Sequence, residues 1–457
     1  MKVSGKTISF RRPVRGRGFY APRYSPAGHR LIRTLSPAYL KWMEGMGPVE
    51  IQGLETFAGC FNAFSRGEKR LIIIFRHPSR KDPPVLAYAL NSLLPRQCRK
   101  EGLELDGRPH ALFLYGKDVL NWAGPAAVWA FPRLGHIPIQ NLGPNREGMN
   151  LLRKELKEGA FPVALAPEGQ VTYHMNHCAS LASGFSFLAQ WALESGKDVL
   201  LLPVMLGYEY SPEPGKYALE LLARWEKESG LSLEGLSAGA RTGEELNRLV
   251  FRATDGTLRL LEDFLGIREG DLPVNELPED LHSRLERACL SALRMAEDLA
   301  GLAHSGPILE RVFRIRYEGM GRIYREDGNP ADLPPLKRRM ADIHSLEARI
   351  FLLYQQIVDV LEYVDPRYLL SAPEGSQRPC EYVLNLLDVL NRLRGGDINS
   401  RFYPRGHRAV VKAARPVSLL EWTGGKEFTR AGRRALTERI HQILEEGSLD
   451  LDFSHRS

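Results

Sequence analysis

The chain changes its hydrophobic rhythm about halfway along. Between residue 55 and about residue 225, short apolar runs alternate with stretches of helical spacing. The runs are LIIIF (71–75), ALFLY (111–115), FPVALAP (161–167) and VLLLPVML (199–206); the helical stretches include PPVLAYALNSLL and REGMNLLRKELKEG. Compact apolar runs bounded by Gly, Pro and charge suit strands buried on both faces. The helix after Gly143-Pro144-Asn145 carries Glu147 in its first turn and stops at Gly159, where a glycine can end it. This alternation predicts a three-layer α/β domain, a central sheet flanked by helices.

From about residue 240 the spacing becomes that of long helices: EELNRLVFRATDGTLRLLEDFL, HSRLERACLSALRMAEDLAGL and KRRMADIHSLEARIFLLYQQIVDVLEYV. The Pro-rich turns DLPVNELPED and NPADLPPL separate them. A strand-like piece, HRAVVKAARPVSLL, and a last helix, RRALTERIHQILEEG, close the chain. The pattern divides the sequence into a segment at 1–54, an α/β domain at 55–235 and a mostly helical C-terminal extension at 236–457.

Charge changes the picture only at the start. The net charge is +7, yet residues 1–43 hold ten Lys or Arg and no Asp or Glu, leaving 52 basic against 55 acidic residues elsewhere. The first segment is therefore a basic arm, interleaved with Phe10, Phe19, Tyr20, Tyr24, Tyr39 and Trp42. Such an arm suits an anionic membrane surface, at about 1 kcal/mol per basic residue, or nucleic acid phosphates, or no partner at all. No apolar run reaches the roughly 18 residues that span a bilayer. Cys60, Cys98, Cys178, Cys289 and Cys380 are scattered and odd in number, which disfavours a disulfide framework or a structural zinc site and fits a reducing cytoplasm.

The candidate chemistry begins where LIIIF runs into Arg76-His77-Pro78-Ser79-Arg80-Lys81-Asp82. The carboxyl edge of a strand is where α/β folds place their sites. A carboxylate five residues after His77 can fix its tautomer and stabilise its imidazolium, as a general base requires. With 12 histidines in the chain, this spacing arises by chance about half the time, so its context must carry the case.

That context resembles the glycerophospholipid acyltransferase family, the lysophospholipid type, whose H-x4-D block is followed by three others in fixed order. Gly135, Ile137, Pro138 and Ile139 resemble its G-x-[IV]-P-[IV] turn. Ala166-Pro167-Glu168-Gly169 resembles its P-E-G block, with Ser183-Gly184 opening a helix after it, and Leu202-Pro203-Val204 resembles its last block.

The resemblance implies an acyltransferase with His77 as base and Asp82 as its orienting carboxylate. The acyl group would move from acyl-CoA or an acyl carrier protein, a substrate and not a cofactor, to the free hydroxyl of a lysophospholipid or related lipid. Gly135 and Pro138 would shape the acceptor site, with Pro167, Glu168 and Gly169 beside it and Glu168 as a polar contact. The protein would sit on the inner face of a membrane through residues 1–43, with no nucleic acid partner and no metal. The family usually has Arg after the G-x-x-P-V turn and Thr-Arg after P-E-G, where this chain has Asn141 and Gln170-Val171. Arg146, opening the next helix, is the cation that would serve a phosphate instead.

Rival signals are weaker. Gly235-Leu236-Ser237-Ala238-Gly239 matches the nucleophile elbow of serine esterases, with Asp255 and His282 in their chain order, but a short polar stretch precedes it. His174, His177 and Cys178 lie close together without a second ligand pair. Phe113, Trp122, Trp129 and Phe131 read as core. A catalytically inactive membrane or nucleic acid adaptor is the remaining alternative, against which the presence of both His77 and Asp82 argues.

Overall fold

The structure, a computed structural model, describes residues 12–140, 142, 145–182, 184–238, 242–267, 278–425, 428–449, 451 and 453. Phe10, Asn141, Ser183, Gly239 and most of the DLPVNELPED turn lie outside the described residues. The strands in chain order are β1 (Val14–Arg15), β2 (Met46–Gln52), β3 (Lys69–Phe75), β4 (Leu112–Gly116), β5 (Ile137–Ile139), β6 (Val163–Leu165), β7 (Asp198–Glu209), β8 (Tyr324–Arg325), β9 (His407–Ala413) and β10 (Val417–Ser418). The chain forms two compact units. One comprises Gly18–Glu209 with Pro404–Ser457, the other Met1–Arg17 with Tyr210–Tyr403.

The first unit is built on an eight-stranded sheet in the order β2-β9-β7-β3-β6-β4-β5, with β10 pairing to β7. Strands β3, β4, β5 and β6 run parallel in it, and β7 runs parallel to β3. Their carboxyl ends therefore share one edge. The centre is apolar because β3 and β7 are almost continuously apolar, with Ile72, Ile73, Ile74, Leu201, Leu202 and Val204 all buried. On one face pack Leu152 and Leu156 of the helix Arg146–Glu158 and Phe185, Leu188 and Ala189 of the helix Gly184–Leu193. Buried Arg70 satisfies the end of the first of these helices, donating to the carbonyls of Glu155, Leu156 and Gly159 at 2.7–3.1 Å. Phe57, Phe61, Val85, Leu86 and Leu90, also buried, come from the segments that flank β3 in sequence.

Two segments take places that their patterns did not announce. The basic arm holds a helix, Pro26–Ala38, whose Ser25 cap accepts from the Gly28 N–H, and it ends in β2 at the sheet edge. The strand-like piece near the C-terminus is β9, which enters the sheet between β2 and β7, parallel to the first and antiparallel to the second. After it, the helix Arg430–Leu449 buries Leu436, Ile440 and Leu444, spaced at four residues, in the same core as Ile72 and Ile74. The expected boundary near residue 235 thus differs from the observed grouping, in which residues 404–457 return to the sheet.

The second unit is helical, with long helices at Pro214–Ser229, Gly243–Leu265, Pro278–Ala300, Ile308–Ile323, Pro335–Leu361 and Arg378–Leu393, and a two-stranded pairing of β1 with β8. Buried ion pairs lace it, among them Arg284 with Asp255 and Glu262, Arg311 with Glu297, and Asp388 with Arg392 and Arg401.

A chain ending at Tyr403 lacks β9 and the helix Arg430–Leu449, so β2 and β7 lose their shared neighbour and the core is opened to water. We expect it to lose cooperative thermal unfolding followed by far-UV circular dichroism. A sharp transition matching that of the full chain would show that the sheet closes without these residues.

Candidate active site

His77 lies two residues beyond β3, and Asp82 opens the short helix Asp82–Tyr88, whose Pro83 and Pro84 are preset for a first helical turn. The intervening turn folds back on itself. The Asp82 N–H donates to the Ser79 carbonyl at 3.0 Å, and the Ser79 N–H donates to Asp82 Oδ2 at 2.7 Å. The same Oδ2 lies 2.8 Å from His77 Nδ1. A carboxylate only accepts, so Nδ1 carries the proton and Nε2 is the basic nitrogen. The His77 side chain is 19% exposed while that of Asp82 is fully buried, a base open at one end and anchored at the other. Burial pushes the Asp82 carboxyl above its usual range, against the hydrogen bonds from His77, Tyr208 and Ser79 that pull it down.

Behind this pair lies an ion pair closed to water. Arg76 Nε donates to Glu168 Oε1 at 3.0 Å, with neither side chain exposed. The rest of the guanidinium donates to the carbonyls of Met175, His174 and His177 at 3.3, 2.9 and 2.5 Å and to Ser448 Oγ at 2.7 Å. Glu168 Oε2 accepts the backbone N–H of His77 at 2.7 Å, and Oε1 also accepts that of Ala179 at 3.2 Å. Both oxygens thus face protein donors. Glu168 in this way binds the backbone of His77 and of the loop after the P-E-G turn. Gly169 sits at φ +77 in that turn, its N–H on the Ala166 carbonyl, a backbone that side-chain-bearing residues rarely adopt. Pro167 is buried, and its carbonyl accepts the Ala182 N–H.

Gly135 lies in the turn that enters β5 and Pro138 within β5, the end strand of the sheet, separated from β3 by β6 and β4. Gly135 is at φ +76, and a Cβ there would meet Leu112 Cδ2 at 3.0 Å and Tyr24 Cβ at 3.5 Å. The arm makes this close approach: Tyr24 donates to His29 Nδ1 at 2.8 Å, and His29 Nε2 to Asn91 Oδ1 at 2.6 Å. Pro138 is buried in β5 opposite Tyr115. Arg146 is exposed at the first residue of its helix, a cation at a helix N-terminus open to solvent.

The structure does not assemble the rival sites. Ser237 is exposed in a single 3-10 turn with no strand leading into it. Asp255 is paired with Arg284 and Arg259, and His282 faces Asp365 at 3.4 Å. His177 Nδ1 lies 3.1 Å from Glu445, whose other oxygen accepts the Cys178 N–H. Among the described residues no group of three His, Cys, Asp or Glu could hold a metal. Phe113 is core, as expected, but Trp122 and Trp129 are exposed on the segment between β4 and β5.

Arg76, Tyr208, Glu445 and Ser448 escaped the sequence. Arg76 had a signal, a charge ending an apolar strand, but its partners are 92 to 372 residues away.

Residues 48–207 match the family model described as Acyltransferase. The match supports an acyltransferase-family domain over this stretch and, with it, acyl transfer in general. The match runs from within β2 to within β7, so β9 and the helix Arg430–Leu449 lie beyond it. No curated protein matches the chain.

Glu168→Gln leaves Arg76 as an uncompensated buried charge. We expect a loss of about 3–5 kcal/mol in unfolding free energy measured in urea, far above the effect of an exposed substitution. A loss below about 1 kcal/mol would show that the carbonyls alone satisfy Arg76.

Proposed function

We propose that this acyltransferase moves a fatty acyl group from the thioester of acyl-CoA or an acyl carrier protein to the free hydroxyl of a lysophospholipid or a related lipid. The observation that carries the reading is the 2.8 Å contact of His77 Nδ1 with buried Asp82, at the carboxyl edge of the parallel strands β3, β6 and β7 in a stretch that matches an acyltransferase family model. His77 Nε2 takes the acceptor's hydroxyl proton as its oxygen attacks the thioester carbonyl. The C–O bond forms, the C–S bond breaks, and the departing thiolate takes the proton from His77 Nε2 to leave as the thiol, which restores the base. Asp82 stabilises the imidazolium in between. Gly135, Pro138, Pro167 and Gly169 shape the acceptor side, and Arg146 at its helix N-terminus receives any phosphate the acceptor carries.

The test is transfer from radiolabelled palmitoyl-CoA to a panel of lysophospholipids and other hydroxyl lipids, with His77→Ala and Asp82→Asn beside the wild type. We expect a labelled product that falls by at least about 100-fold in both variants. Product formed undiminished by His77→Ala would sink the mechanism.

The same reading places the protein on the inner face of a membrane. Leu31, Leu35, Tyr39, Trp42 and Met43 are exposed and recur at helical spacing along one side of Pro26–Met43, with Arg30, Arg33 and Lys41 among them; Trp42 and Met43 are 70% and 72% exposed. Apolar and basic side chains so mixed suit an anionic bilayer interface. The stripe is tied to the active-site turn. Tyr39 and Arg80 both donate to the Glu44 carboxylate, at 2.7 and 3.1 Å, and buried Lys81 Nζ donates to the Glu44 carbonyl at 2.6 Å. Among the described residues no helix is long and apolar enough to cross a membrane.

Replacing Trp42 and Met43 together by Ala is expected to weaken sedimentation with vesicles containing phosphatidylserine by about tenfold or more, from the lost apolar burial. Binding unchanged by the pair would exclude this stripe as the contact.

A further inference from the structure

The strand β7 outlasts its neighbour β3, which it pairs through Phe75↔Val204, and its last residues reach past the sheet edge toward the turn that holds His77. Tyr208 is there, 1% exposed. Three elements fix it. Its backbone pairs with β9 in the register Tyr208↔Ala409, and its ring meets His407 of β9 edge-on at 5.6 Å between centroids. Its N–H donates to Met175 Sδ, 3.0 Å away in the loop after the P-E-G turn. Its hydroxyl donates to Asp82 Oδ1.

The two oxygens of Asp82 are thereby divided. Oδ2 receives His77 Nδ1–H and the Ser79 N–H, while Oδ1 receives the phenol. A phenol donating to a carboxylate is a charge-assisted bond, strongest where water is excluded. Here Asp82 has no exposed side-chain surface with which to recruit water in its place.

We propose that Tyr208 is a positioning residue of the active site, holding Asp82 ionised and rotated so that Oδ2 stays on His77, and making His77, Asp82 and Tyr208 one unit. This rests on the reading of His77 as the general base. A tyrosine that merely fills space would need its ring and not its hydroxyl, so Tyr208→Phe separates the two roles.

The sign of the effect follows from the donors. Burial drives the Asp82 carboxyl up and the three hydrogen bonds oppose it. Removing one of them makes the carboxylate hold the shared proton more tightly, so the apparent midpoint of the His77–Asp82 pair moves upward. The other charged and titratable groups around the trio are Lys81 and Arg80 in the turn, Glu44 paired with Arg80, Arg405 beside Lys81, His407 on β9, and the Arg76–Glu168 pair behind His77. Tyr208→Phe alters none of them chemically.

The experiment is a pH titration of the full chain labelled with 15N-histidine, using His77→Gln to assign the signal, in wild type and Tyr208→Phe. We expect the pair's midpoint to move up by about half to one pH unit, and the acidic limb of kcat/KM to follow it. We also expect kcat to fall about tenfold while KM changes by less than about twofold. Adding Tyr208→Phe to Asp82→Asn should then cost little more, because the hydroxyl acts through the carboxylate. Superimposable titrations, or a full multiplicative loss in the double variant, would overturn the proposal. Should the wild type transfer no acyl group, the reading of the base fails, and the titration alone still decides whether Tyr208 governs the pair.

Discussion

Arg76 and Glu168 meet where no water reaches. An isolated ion so placed would cost several kcal/mol, so each must be answered by protein groups. The answers come from far apart in sequence: carbonyls of residues 174, 175 and 177 and the hydroxyl of Ser448 for the arginine, backbone N–H groups of His77 and Ala179 for the glutamate. Arg76 directly follows β3 and Glu168 follows β6, so their pairing locks the loops of two adjacent strands together. The candidate base sits on the residue next to that lock. The geometry of His77 is therefore inherited from a charge pair that never touches a substrate.

The stretch His174 to Cys178 takes its meaning from the same constraint. Its histidines and cysteine look like metal ligands in sequence, yet it is the backbone carbonyls that Arg76 uses, while the C-terminal helix holds the outer side. Glu445 takes the Cys178 N–H and faces His177, the Ser448 carbonyl accepts Asn176 Nδ2, and His441 Nε2 lies 3.0 Å from the Cys178 carbonyl. A loop with little regular structure is thus bonded on both sides.

What could be read from the sequence follows the range of the forces that set it. β3, β6 and β7 were legible because strands buried on both faces must be apolar throughout, and that is a local signature. Helix Arg146–Glu158 was legible from its period and its terminal glycine. The spacing of His77 and Asp82 lies within one turn, so it too was visible. The strand character of residues 407–413 could be read, but its place between β2 and β7 could not, since a partner several hundred residues away leaves no trace in local spacing. Tyr208 and Ser448 were hidden for the same reason. Trp122 and Trp129 show the opposite failure: their size suggested a core, but size does not say which side of a sheet edge a connection will run on. The exposed stripe on Pro26–Met43 was only half visible, as its aromatics and charges were plain but the face they share needed the helix and the turn after it.

The position of β9 also bears on how the chain is made. On a ribosome, β2, β3, β6 and β7 emerge first, and the gap in the sheet stays open while some two hundred further residues are synthesised. The helical unit, residues 210–403, is made in that interval. The sheet cannot be completed until residues 407–413 leave the tunnel. During that interval β2 and β7 present unpaired edges, the sort of surface that invites wrong partners. The lock beside His77 likewise waits for the helix Arg430–Leu449, since Ser448 takes one of the Arg76 hydrogen bonds.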